Sequence, residues 1–111
     1  MRIAVVGLLV GSILGAASCG GATNPDVPEL RIVNHGATTI TLVNIAACND
    51  SEWGQNRAGL GIRSGQAREY QLNPGCWDFR VGGTVNGAVR TMERRGVLVQ
   101  SGITHIWEVV I

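Results

Sequence analysis

The densest run of chemistry-capable side chains is Cys48-Asn49-Asp50-Ser51-Glu52-Trp53, followed by Gly54-Gln55-Asn56. It puts two carboxylates, a hydroxyl and an indole into one polar loop. Oxygen-rich loops bind Ca²⁺, but the ion takes about 6–8 oxygens and this stretch lacks the spacing of a known calcium loop. No metal site and no cofactor are therefore expected. Asp50 or Ser51 capping backbone N–H groups is the plainer role. Asp50, Glu52 and Trp53 are the candidate binding residues. A small hydrolase or metal-dependent enzyme using the Cys48–Asn56 loop is the alternative, and it needs a base. The two histidines, His35 and His105, are the options, and nothing in the spacing brings either to Cys48 or Cys76. No catalytic residue is assigned.

The N-terminus reads as an address. Met1-Arg2 is a minimal basic start, and Ile3 to Leu14 is apolar or small without a charge. Such a segment is an export signal that is removed rather than folded. A membrane-spanning helix needs ~20 apolar residues, and here Gly, Ser, Thr, Asn and Pro crowd the stretch beyond Leu14. Ala16-Ala17-Ser18-Cys19 resembles the lipobox of bacterial lipoproteins, with Ala16 where Leu is usual. The resemblance implies cleavage before Cys19 and acylation of its thiol with diacylglycerol. Cleavage by the ordinary signal peptidase, giving a secreted or periplasmic protein, is the competing outcome. Gly20 rather than Asp after the cysteine implies, by the same resemblance, the outer membrane if the host has one. Residues 1–18 are thus read as a lipoprotein signal peptide, 19–28 as a lipidated flexible tether rich in Gly and Pro, and 29–111 as the folded domain.

Composition narrows the partners. Arg2 is the sole charge before the cut, so nine Arg and eight Asp plus Glu in the whole chain leave eight against eight after it. That balance argues against nucleic acid, whose backbone selects a basic face. The expected product is a monomer held at the membrane through Cys19. Export also bears on the other two cysteines: in an oxidising compartment Cys48 and Cys76 are expected to bridge, closing a loop worth ~3–4 kcal/mol in the chain-entropy picture.

The elements that must carry these residues read as strands. Leu30–Asn34 is short and β-rich, and His35-Gly36-Ala37 is a turn. Thr38–Ala46 is a second strand whose apolar side switches near Leu42-Val43, which predicts a bulge or burial on both faces. Ala67–Leu72 sets Tyr70 and Leu72 against Glu69 and Gln71. Cys76–Val85 sets Trp77, Phe79 and Val81 against Asp78 and Arg80. Asn86-Gly87 is a two-residue hairpin signal. Ala88–Val99 returns with a break at Gly96, and Ile103–Ile111 closes the chain with His105, Trp107 and Val109 on one face. Asp50–Asn56 has room for one short helical turn. Short strands with regular turn signals predict an all-β fold, a small antiparallel β-sandwich of about six to seven strands, Ig-like or prealbumin-like. Trp77 and Trp107 are expected in the core. Trp53, in its polar loop, is expected to plug one end of the sandwich, with an exposed contact as the alternative. Arg90, Glu93, Arg94 and Arg95 read as a solvated strand face.

Several of these runs occur together: Asn34-His35-Gly36-Ala37-Thr38-Thr39-Ile40, Ser51-Glu52-Trp53-Gly54-Gln55-Asn56-Arg57, Gly65, Gly75-Cys76-Trp77-Asp78-Phe79-Arg80-Val81, and Gly102 with Trp107. In that order they resemble a group of small exported bacterial β-sandwich proteins with no assigned activity. The likeness spans about Leu30 to Val110 and implies the fold alone. Arg57 and Ala58 stand where that group commonly has Leu, a place Leu60 is expected to fill. The function expected is a membrane-tethered, non-enzymatic envelope lipoprotein whose domain binds a protein, peptide or glycan.

Overall fold

A computed structural model of the chain describes residues 27–111. The signal segment, Cys19 and most of the tether lie outside the described residues. Every regular element described is a strand: β1 (Glu29–Asn34), β2 (Leu42–Ala47), β3 (Ala67–Gln71), β4 (Gly75–Val85), β5 (Ala88–Val99) and β6 (Thr104–Val109). They form two three-stranded sheets, ordered β3-β1-β6 and β2-β4-β5. The all-β expectation and most strand positions hold. One pairing departs from a purely antiparallel arrangement: β1 runs parallel to β6, Glu29 beside Thr104 through Asn34 beside Val109.

Alternation explains the core. Leu30 and Ile32 on β1, Tyr70 on β3, and Trp107 and Val109 on β6 point to one side of the first sheet. Val43 and Ile45 on β2, Phe79 and Val81 on β4, and Val99 on β5 answer from the second sheet, in one apolar cluster. Trp107 and Phe79 meet across it, ring centres 6.5 Å apart. The arrangement is sandwich-like. Burying side chains of this size contributes ~1.5–3 kcal/mol each.

The second strand begins later than its composition suggests. β2 starts at Leu42, and Ile40 makes only an isolated bridge, to Ile62. The cause is Asn34. Its side-chain nitrogen donates to the carbonyls of Thr38 (2.8 Å) and Ile62 (2.9 Å), and its Oδ1 accepts from the Gly36 N–H (2.9 Å). Asn34 is completely buried, and it diverts residues 38–40 from the sheet. At Gly36 the chain end crosses so closely that a Cβ would lie 2.5 Å from the Ile111 nitrogen. Only glycine fits there.

β4 and β5 form the hairpin that Asn86-Gly87 predicts, both residues with positive φ (53° and 80°). β5 is an edge strand, exposed from Ala88 to Gly96. Arg90, Glu93, Arg94 and Arg95 lie along it, and such charges discourage edge-to-edge association. They divide between two faces: Arg94 leans over the Trp107 ring at 5.4 Å, while Glu93 and Arg95 point the other way.

Candidate functional site

The candidate loop lies over the outer face of the second sheet. Register defines that face. Asn44 stands opposite Arg80 and Ala46 opposite Asp78, and Arg80 stands opposite Glu93. These side chains share the side away from Ile45, Phe79 and Val81. Asn44 and Ala46 are nonetheless buried, at 2% and 7% exposure, because the loop covers them. This is the burial on both faces that the apolar switch in the second strand predicts.

A bulge organises the floor. Trp77 pairs with Val97 and Phe79 with Arg94, so Asp78 faces two residues, Arg95 and Gly96. Gly96 has φ +68°, a left-handed backbone in which a side chain is strained. The sequence break at Gly96 is therefore a bulge within one continuous strand. Asp78 completes it. Its Oδ1 accepts from the Gly96 N–H at 2.9 Å, and its Oδ2 lies 3.3 Å from the Arg95 guanidinium. A carboxylate only 6% exposed needs such partners. The bulge also aims Arg95 outward, where Nε donates to Glu93 at 2.9 Å.

Trp53 rests on these arginines. The guanidinium carbons of Arg80 and Arg95 each lie 4.7 Å from the indole centre. Arg80 is itself held by Asn44 Oδ1, 3.0 Å from its Nε. Trp53 is thus half-buried over a sheet face and does not plug the end of the sandwich, contrary to the expectation above. Two cations on the sheet surface offer its π system a better seat than the apolar end. The three tryptophans share no platform: Trp107 is buried, and Trp77 packs at the edge of the core, its Nε1 donating to the Asn73 carbonyl at 2.8 Å.

Asn56 fastens the loop. Its Oδ1 accepts from the Val43 N–H (3.0 Å) and the Ala58 N–H (2.9 Å), and its Nδ2 donates to the Thr41 carbonyl (2.8 Å). With Arg57 N–H on the Val43 carbonyl (2.7 Å), the loop takes the place of a strand beside β2. No helical turn forms between Asp50 and Asn56. Further on, Ala58 is completely buried while Leu60 is fully exposed, so Ala58 takes the inward position expected of Leu60. The Arg68 guanidinium donates to the Ala58 and Gly61 carbonyls, and the Tyr70 hydroxyl donates to the Arg57 carbonyl at 2.9 Å. Those anchors leave room for a methyl and turn Leu60 out.

Cys48 and Cys76 are bridged, with Cα atoms 5.4 Å apart. The bridge ties the start of the loop to β4, and Cys48 Sγ lies 3.7 Å from Asp78 Oδ1. A bridged sulfur carries no proton, so this is a packing contact. Between Asp78 and the loop is a shallow depression of about 40 Å³ lined by Asp50, Ser51, Glu52, Trp53, Asp78 and Arg95. The three expected binding residues therefore come together. The histidines do not join them: His35 lies in the β1–β2 turn, 3.8 Å from Glu108, and His105 is on β6 against the Phe79 ring. Among the described residues no group of three His, Cys, Asp or Glu could hold a metal ion.

Asp78, Arg80, Arg95, Asn44 and Asn56 were not singled out by residue type. The bulge signal at Gly96 and the alternation of Asp78 and Arg80 against Phe79 are the traces they leave in the sequence. Replacing Asp78 with Ala should cost ~1.5–3 kcal/mol through the lost charged acceptor. Arg95→Ala should cost under ~1 kcal/mol, since its side chain is more than half exposed. Urea melts of both single variants and the double variant check this. An Arg95 effect as large as that of Asp78 would contradict it.

His105 sets a pH dependence. Its Nε2 is buried without a hydrogen-bond partner among the described residues. Burial, and secondarily the Arg94 charge, hold its pKa below the ordinary 6.5. The unfolded chain therefore takes up the proton first. Stability attributable to this group is present above pH ~6.5 and is lost as pH falls below it. Denaturant midpoints between pH 8 and 5.5 should fall, and the fall should shrink in His105→Phe.

Comparison of the chain with protein-family models, with curated proteins and with solved structures finds no match.

Proposed function

We propose that the chain is an exported lipoprotein, held to the envelope through lipid on Cys19, whose Ig-like or prealbumin-like sandwich binds a protein or peptide partner without turning it over. The observation that supports binding is the outer face of the second sheet. There Trp53, Arg80 and Arg95 are fixed in advance beside a depression of about 40 Å³. Small-molecule sites run to ~300–1,000 Å³, so this one suits the tip of a partner's side chain better than a sugar ring or a free substrate. Fixed aromatic and arginine side chains are also those that dominate protein contacts, because little freedom remains to be lost on binding. Asp50 and Glu52 line the depression, and neither is in an ion pair among the described residues, whereas Asp78 is already held by Arg95; the two loop carboxylates favour a basic side chain.

The test has two arms. Intact mass of detergent-extracted protein should show a diacylglycerol adduct at Cys19, and an unmodified N-terminal cysteine refutes the anchor. A photoreactive residue at position 53 in the native envelope should give a discrete protein adduct that disappears in Asp50→Ala/Glu52→Ala. Capture of bulk lipid alone contradicts a specific partner. Hydrolytic turnover lost on changing Asp50, Glu52 or His105 would replace the binding function with an enzymatic one.

A further inference from the structure

The tether enters the domain at one end, and that end is poor in charge and exposes aliphatic side chains. β1 starts at Glu29, level with Thr104 of β6 and Gln71 of β3, and the Leu72 N–H donates to the Pro28 carbonyl at 3.1 Å. β4 begins just beyond, at Gly75 opposite Val99. The segments Leu72–Trp77 and Val97–Thr104 therefore gather where the tether arrives. Neither holds a charged residue. Leu98 and Ile103 are 66% and 53% exposed there; Trp77, opposite Val97 and so on the other face of the sheet from Leu98, is half-buried at the same end with its indole N–H already satisfied. The Asn86-Gly87 hairpin tip lies at the far end of β4.

From these positions we infer that the tethered end, through Leu98, Ile103 and Trp77, docks on the lipid surface. This rests on the tether proposed above. Two aliphatic side chains and the flank of an indole form a weak contact alone, at ~0.8 kcal/mol per buried CH₂. The tether changes that. From Cys19 to Pro28 the chain reaches a few nanometres at most, at ~3.3–3.6 Å per extended residue, which keeps this end at a high effective concentration near the membrane. An indole whose N–H is satisfied suits the headgroup boundary, where aromatic side chains collect. Glu29, the charged residue that opens β1 at this end, is acidic, so the end fits a zwitterionic rather than an anionic surface. Docked this way, the domain stands upright with the hairpin tip pointing away from the bilayer.

The experiment separates docking from native acylation. With Cys48 and Cys76 bridged, Cys19 is the one free thiol of the chain from Cys19 to Ile111, which keeps every described residue. It can be coupled to maleimide lipid in phosphatidylcholine vesicles carrying brominated acyl chains. The expected result is loss of about a third of the tryptophan emission, the share of one indole in three. Trp77→Phe and Leu98→Ser/Ile103→Ser should each abolish that loss. The serine variant changes exposed positions, and an unchanged thermal midpoint shows that it stays folded. No quenching in the wild type, or equal quenching in the variants, overturns docking whether or not Cys19 is acylated in cells. Quenching replaced by a protein crosslink at position 98 in the native envelope assigns this end to a protein instead and also overturns it.

Discussion

Asn34→Leu should destabilise the domain by ~3–5 kcal/mol, although leucine has the same number of side-chain heavy atoms, branched in the same way, and would be welcomed by most cores. Asn34 donates to two carbonyls and accepts from one N–H, all within the protein. Leucine leaves the Thr38 and Ile62 carbonyls and the Gly36 N–H unpaired, at ~1–3 kcal/mol for each one that stays buried. Small domains have only ~5–15 kcal/mol in total. The three partners also belong to three segments: the turn after β1, the stretch before β2 and the end of the long β2–β3 connection. Losing them should free Ile40 and Ile62 from their bridge and loosen the Ile111 end that lies across Gly36. Urea denaturation should show a lower midpoint with little change in slope, and Asn49→Leu, at an exposed position, should stay within ~0.5 kcal/mol of the parent. An Asn34→Leu protein as stable as the parent would mean that this knot holds nothing together.

Cys48→Ala/Cys76→Ala should cost ~3–4 kcal/mol, which for a domain of this size is a fall in Tm of roughly 12–32 °C at ~4–8 °C per kcal/mol. The spacing of 28 residues sets that figure. The sequence between the two sulfurs contains Trp53, Asn56, Ala58, Arg68 and Tyr70, so the bridge closes off the whole loop that forms the candidate site. Loss of the bridge should be felt unevenly. Amide exchange should quicken most from Asn49 to Gly54, where the chain has Asp50 N–H on the Ala47 carbonyl as its nearest backbone tie. It should quicken least around Val43 and Ala58, which Asn56 still fastens. Calorimetry of the variant, and of the parent with and without a reductant, checks both size and origin. A parent indifferent to reductant would show that no bridge forms.

How far the sequence reaches depends on whether the physics is local. Trp77, Phe79 and Val81 alternate against Asp78 and Arg80 strongly enough to define β4, and Asn86-Gly87 fixes the hairpin that follows. The bridge between Cys48 and Cys76 is expected from the cysteine count together with the export that the N-terminal segment predicts. The β1–β6 pairing is different: it joins segments with no local signal for each other, and only the assembled sheet selects it. Asn34 reads only as the last residue of a short strand, and its buried hydrogen bonding depends on Ile62, far away in the chain. Trp53 looks like an apolar plug because indoles usually seek apolar cover, and the two arginines that hold it lie on β4 and β5. Ala58 and Leu60 exchange roles for a similar reason. Arg68 and Tyr70 fix the backbone around Ala58, and the local pattern contains neither.

The parallel pairing of β1 with β6 has a consequence in time. It joins the first described strand to the last, so the β3-β1-β6 sheet cannot close until Thr104–Val109 is present. The β4–β5 hairpin needs no such delay; its turn can form in ~1–10 μs. Folding dominated by distant contacts runs over milliseconds to seconds. A chain emerging from a translocation pore N-terminus first would therefore display β1 unpaired on one edge throughout its passage. On the lipoprotein proposal, Cys19 leaves the pore before any of these strands, so the enzymes that process it meet an open chain, and the domain completes itself already moored.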